Sequence, residues 1–131
     1  MKRPVARNVK GFRDLLAPDL LLKQSLIDRI RRVYESHGFV PLETPAVEFV
    51  DVLGKFLPEE HTPEGGIFSF HNRDLGPRTD PQDPDLWIAL RYDLTAPLAR
   101  AVAQYADLPT PFRRYQVGPV WRYEKPGPGF S

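Results

Sequence analysis

Arg122 and Glu124 lie two residues apart in the run Val120-Trp121-Arg122-Tyr123-Glu124. Read as a strand, this run puts Val120, Arg122 and Glu124 on one face and Trp121 and Tyr123 on the other. The cation and the anion are then roughly 7 Å apart along the strand. A guanidinium fixed on a sheet suits a phosphate or carboxylate, which it grips through parallel donors. The carboxylate beside it can accept from an exocyclic amine or an ammonium group. A second set, Asp93 and Thr95, sits in Leu90-Arg91-Tyr92-Asp93-Leu94-Thr95-Ala96-Pro97-Leu98-Ala99-Arg100, where an apolar run ends and a helix begins. An acid and a hydroxyl at the mouth of a strand can also accept from an ammonium group. The same spacing describes an exposed pair on a sheet, worth little energetically, and spacing alone leaves both readings open.

Other chemistries find no support. There is no glycine-rich phosphate loop of the Walker or dinucleotide type and no legible Ser/His/Asp set. His37, His61 and His71 are scattered without ligand spacing, and the chain has no cysteine. Disulfides and thiolate metal sites are therefore excluded, and no protein-held metal is expected.

The polar sets need elements to position them. Ala17-Pro18-Asp19 reads as a helix start with Asp19 as the cap. Leu22, Leu26, Ile30, Val33 and Tyr34 then recur at helical spacing to about His37, and Gly38 supplies a left-handed C-cap. Phe39–Pro45 reads as a short strand whose two prolines place it at an edge or interface. Ala46–Phe56 gives a second helical pattern through Val47, Val50 and Leu53, followed by a loop over 57–66. Ile67–His71 and Leu86–Arg91 are expected to pair as antiparallel strands across the polar, proline-rich linker 72–85. Thr95 is expected to cap a helix over 96–107, with Pro97 in its first turn and Leu98, Val102 and Tyr105 or Ala106 buried. Phe112–Val117 and Val120–Glu124 read as the last two strands, separated by a turn or bulge at Gly118-Pro119. This order implies an α+β domain with a mainly antiparallel sheet flanked by helices.

With 131 residues, 41% hydrophobic and 27% charged, the chain has the make-up of one small globular domain. Its net charge of +1 argues against a surface built throughout for nucleic acid, though not against a local phosphate site. No apolar run approaches the ~18 residues of a membrane span. No apolar signal core follows the basic start Met1–Arg7, and 1–10 reads as a frayed arm. Most of the 15 prolines cluster in 58–84 and 109–128, where they punctuate loops. The ending Pro126–Ser131 caps no element, from which we expect a fragment.

Taken together, these residues resemble the N-terminal part of the catalytic domain of the histidyl-tRNA synthetases, a class II aminoacyl-tRNA synthetase family. The resemblance covers essentially the whole chain. Gly11-Phe12-Arg13-Asp14-Leu15-Leu16 resembles the family's opening motif. The helix and strand over about 20–45 resemble class II motif 1, with Pro45 as its proline. Leu90–Thr95 resembles the histidine-binding segment, and about 112–129, including Tyr115–Glu124, resembles the first half of motif 2. The resemblance implies that Asp93 and Thr95 bind the α-amino group of histidine. It also implies that Arg122, the catalytic residue of the set, contacts the ATP α-phosphate and the histidine carboxylate, and that Glu124 recognises the adenine amino group. The family makes histidyl-adenylate from histidine and ATP, with Mg2+ accompanying the ATP, and transfers histidine to tRNA(His). It implies a cytoplasmic homodimer joined through 20–45. Phe130-Ser131 departs from the family's pattern. The histidine-specific segment, motif 3 and the anticodon-binding domain are absent from this sequence, so the chain alone is not expected to charge tRNA. Two alternatives stand beside the ligase: a regulatory subunit of ATP phosphoribosyltransferase, which shares the fold without charging tRNA, and a module that only dimerises.

Overall fold

The computed structural model describes residues 1–54, 66–77 and 80–123. The chain divides between Val40 and Pro41 into two compact units.

In the first unit the long helix α1 runs from Ala17 to Ser36. It begins at Ala17, so Asp19, expected as the cap, lies inside the helix. Leu16, in extended conformation, is the N-cap and makes no side-chain cap bond. Pro18 instead occupies the first turn, where its missing N–H costs nothing. Asp19 sits inside that turn and favours the positive end of the helix dipole. The C-terminal expectation holds: Gly38 has φ +80°, and its N–H donates to Glu35 O at 3.1 Å. Phe39 packs edge-on against Tyr34, with ring centroids 5.4 Å apart. The apolar stripe is present but uncovered. Leu22, Leu26, Ile30 and Val33 are between 52% and 62% exposed, and no residue of α1 is buried.

The second unit is organised on a three-stranded antiparallel sheet of β2 (Val47–Phe49), β3 (Ser69–His71) and β4 (Trp87–Leu90), with β4 in the centre. Ala89 stands opposite both Glu48 and Ser69, so Trp87, Ala89, Glu48 and Ser69 share a face. Val50, Leu53, Ile67 and Ala89 form the core there, with Trp87, Tyr92 and Ala96 packed against them. The β3–β4 pairing is antiparallel, as its sequence implied. Among its described residues the linker between these strands contains one 3-10 turn, Arg73–Leu75, capped by the Asn72 side chain.

Among the described residues 46–54, the helix expected over Ala46–Phe56 is not formed. Val47–Phe49 is strand, and only one turn follows, with Leu53 N–H donating to Val50 O at 3.1 Å. Val47, Val50 and Leu53 mimic a helical stripe, yet Val50 and Leu53 reach the core from a strand end and its turn. Pairing with the distant β4 overrides the local pattern. The loop expected over 57–66 lies outside the described residues except for Gly66.

The helix α2 spans Thr95–Gln104. Thr95 is not its cap. Leu94 is the N-cap residue, and Asp93 Oδ1 accepts the Ala96 N–H at 3.0 Å. Its buried residues are Pro97 and Ala101 rather than Leu98, Val102 and Tyr105. The face toward the sheet is set one position away because Arg100 reaches Glu48.

Two expected strands are cut short. β1 is only Val40–Pro41 and β5 only Arg114–Tyr115. Proline lacks the N–H that a longer ladder needs, and Leu42 N–H makes the next bond, to Tyr115 O at 3.2 Å. No strand is formed over 120–123. That segment is nevertheless tied down, by Trp121 N–H to Arg91 O at 3.0 Å and Tyr123 N–H to Gly66 O at 2.9 Å.

Candidate functional site

Residues 91–95 leave β4 and enter α2, and almost every one of them is fastened. The Arg91 N–H donates to Ala46 O at 2.9 Å, and its carbonyl accepts from Trp121. The Tyr92 hydroxyl donates to Leu53 O at 3.3 Å. The Tyr92 carbonyl accepts from Arg122 Nε at 3.2 Å, and the Leu94 carbonyl accepts from the Arg114 guanidinium at 2.7 Å. Asp93, between these two carbonyls, is part-buried.

This arrangement brings Arg122 to the segment that carries Asp93 and Thr95. The bond through Nε leaves the two terminal nitrogens of Arg122 without a partner among the described residues, on an exposed side chain. A planar fork held by its stem can meet a phosphate or a carboxylate. Asp93 spends Oδ1 on capping α2, while Oδ2 and the Thr95 hydroxyl make no hydrogen bond to a described residue. Asp93 thus has a structural duty, and its second oxygen still suits an ammonium group. Glu124 lies outside the described residues.

The residues that hold this site carry no chemical signature in the sequence. Arg91 is 6% exposed. Its Nε donates to Pro119 O at 3.0 Å, and Nη1 donates to Thr44 O at 2.8 Å and Pro45 O at 3.4 Å. Its guanidinium carbon lies 5.8 Å from the centre of the Trp121 ring. Arg114 joins Leu94 O to the side chain of Gln116, and Gln116 in turn bonds the Thr44 hydroxyl at 3.2 Å. Burial pushes the Arg114 guanidinium below the ordinary arginine value. One signal could have found Arg91: continuing the alternation of Trp87 and Ala89 puts it on the inward face.

A second buried polar link anchors α2. Arg100 makes two bonds to the Glu48 carboxylate, at 2.8 and 3.2 Å, and a third to Gln104 at 3.1 Å. The hydrogen bond to Glu48 is the main reason the Arg100 guanidinium is raised above the ordinary arginine value. No described group of three His, Cys, Asp or Glu residues could hold a metal ion. No described helix is long and apolar enough to cross a membrane.

Comparison with known proteins gives this geometry a context. The family model described as histidyl-tRNA synthetase matches residues 11–130. The histidine–tRNA ligase of Paracoccus denitrificans (strain Pd 1222) is 53% identical over 128 residues, which is 97% of this chain and 25% of that protein. The crystal structure of a histidyl-tRNA synthetase from Nostoc sp. PCC 7120 superimposes with a TM-score of 0.71 at 34% identity, over 92% of this chain and 25% of that one. A Bacillus halodurans structure described as an ATP phosphoribosyltransferase regulatory subunit/histidyl-tRNA synthetase gives 0.71 at 24% identity, over 93% of this chain and 29% of that one. This last likeness is one of fold alone. The chain spans about a quarter of the length of the curated relatives it matches.

Proposed function

Since the chain belongs to the histidyl-tRNA synthetase family, we propose that it supplies one wall of the site in which histidine is activated by ATP and passed to tRNA(His). In this reading residues 1–131 form the N-terminal part of a class II catalytic domain, with motif 1 at about 20–45 and the first half of motif 2 at about 112–129. Asp93 Oδ2 and the Thr95 hydroxyl accept from the α-ammonium of histidine. The Arg122 fork takes the histidine carboxylate and the α-phosphate, and Glu124 accepts from the adenine amino group. Arg122 orients the attacking carboxylate oxygen toward the α-phosphorus and opposes the charge that grows there as pyrophosphate departs.

The observation that carries this reading is the Arg122 side chain. It is pinned by Nε to the Tyr92 carbonyl, beside Asp93, with its terminal nitrogens unpartnered among the described residues. Magnesium would arrive with ATP, held by phosphates and waters. The residues of this chain serve to bind and orient.

A second copy of the chain is the natural cover for the uncovered stripe of α1, since such an apolar face is costly to leave in water. The protein is then a homodimer through 20–45, working in the cytoplasm. The ligase reading is preferred to a regulatory subunit because the relatives at about 50% identity are named ligases.

The test is a titration of the 131-residue chain with histidyl sulfamoyl adenosine, a non-hydrolysable analogue of histidyl-adenylate, followed by 15N NMR. Shifts are expected at Asp93, Thr95 and the Arg122 side chain. Binding that perturbs other regions and leaves these residues unmoved would overturn the assignment.

A further inference from the structure

We infer that Arg91 is the positioning residue that aligns the two halves of the site, and that residue 118 is glycine to make room for it. Two distant segments, 44–46 and 119–121, meet on this one side chain and its own backbone. The guanidinium binds the carbonyls of Thr44, Pro45 and Pro119. The Arg91 N–H binds Ala46 O, and the Arg91 carbonyl accepts the Trp121 N–H. Arg91 therefore fixes the stretch 119–121 against the stretch 91–92 from both sides. Arg122 follows directly on that stretch and donates to the Tyr92 carbonyl. Asp93 and Thr95 follow directly on the other. The relative placement of the anion-gripping fork and the ammonium acceptors is set through Arg91, which itself need touch neither ligand.

Gly118 completes the device. Its φ lies outside the left-handed region, so the backbone itself would accept a side chain. Space is what forbids it: a Cβ at 118 would stand 2.6 Å from Arg91 Nη2. Alanine there forces the guanidinium to shift against the carbonyls that hold its Nε and Nη1. Lysine at 91 keeps the charge and loses the planar fork, so it cannot serve carbonyls on both sides.

The inference rests on the proposed function for its consequence in ligand binding, and its geometric part is measured separately. The experiment compares the chain with Arg91→Lys, Gly118→Ala and the double variant, by amide hydrogen exchange and by titration with histidyl sulfamoyl adenosine. In each variant the Trp121 amide is expected to exchange at least about tenfold faster, while the Leu90 amide in the β3–β4 pairing keeps its protection, as a local opening requires. Affinity for the analogue is expected to fall by about tenfold or more. Because Gly118→Ala acts by displacing Arg91, the double variant should be no worse than Arg91→Lys alone, a strongly non-additive pair. Unchanged Trp121 protection in Gly118→Ala, or additive losses in the double variant, would overturn the inference. A wild-type chain that does not bind the analogue counts against the proposed function, while the exchange data still decide the role of Arg91. Should Arg91→Lys fail to fold, Gly118→Ala carries the same test.

Discussion

Replacing Arg100 with Met should destabilise the second unit far more than replacing the whole ion pair. Glu48 is a carboxylate only 7% exposed, and Arg100 supplies two hydrogen bonds to it. The arginine side chain is 23% exposed, so water reaches its own side more readily than that of Glu48. Breaking a buried pair by removing one partner typically costs 3–5 kcal/mol, and partial access by water places this case at about 3 kcal/mol. For a chain of this size each kcal/mol is worth about 3–5 °C, which makes the expected fall in Tm roughly 10 °C. The double variant Glu48→Leu/Arg100→Met removes the stranded charge and should return to within about 1 kcal/mol of the parent. Urea unfolding followed by tryptophan fluorescence suits the question, because Trp87 and Trp121 both lie in the second unit. The raised Arg100 value fixes the sign of the pH effect. Stability gained by a cation with a raised folded pKa is complete below its unfolded value and is lost only as pH climbs beyond it. The contribution of this guanidinium should therefore not change between neutral and mildly alkaline pH. A single variant within about 0.5 kcal/mol of the parent, or a double variant less stable than the single, would refute the reasoning.

Asp93→Asn separates the two duties of Asp93. Asparagine caps as well as aspartate does, so stability should change by less than about 0.5 kcal/mol, whereas Asp93→Ala should lose about 1 kcal/mol. Both variants should bind histidyl sulfamoyl adenosine more weakly, and unchanged binding by Asp93→Asn would remove the ammonium role. On α1, Ile30→Glu should convert a dimer to a monomer in sedimentation at micromolar concentration; a wild-type chain that sediments as a clean monomer contradicts the dimer. The chain alone should give no histidyl-tRNA in a charging assay with radioactive histidine, and turnover by it would contradict that expectation.

The sequence pattern revealed most of what depends on near neighbours. The periodicity of Leu22 to Tyr34 located α1, Gly38 located its end, and the alternation around Ile67–His71 and Leu86–Arg91 located the central antiparallel pair. It failed where distant pairing decides. Val47, Val50 and Leu53 keep helical spacing, yet β4 draws Val47–Phe49 into the sheet. The partner of the buried Glu48 is 52 residues away, and no local rule connects them. Of the proposed site, the sequence offered chemical types, an arginine that suits an anion and an acid and hydroxyl that suit an ammonium, and the fold brings Arg122 onto the segment that carries the other two. The carbonyl cradle of Arg91 was not, because its acceptors are backbone atoms of residues 44, 45 and 119, and the identities of those residues do not announce them. Thr95 has the residue type of a cap but does not serve as one, because Asp93, two residues earlier, takes the Ala96 N–H.

The central claim is that Asp93, Thr95 and Arg122 form the wall against which histidine is activated. The most direct test is histidine-dependent ATP–pyrophosphate exchange by a chimera in which this chain replaces the matching quarter of the Paracoccus denitrificans ligase. The chimera should catalyse exchange, and lose it by a factor of about 100 or more when Arg122 becomes Gln, a change that removes charge stabilisation at the α-phosphorus. A folded chimera whose exchange is indifferent to Arg122→Gln would contradict it.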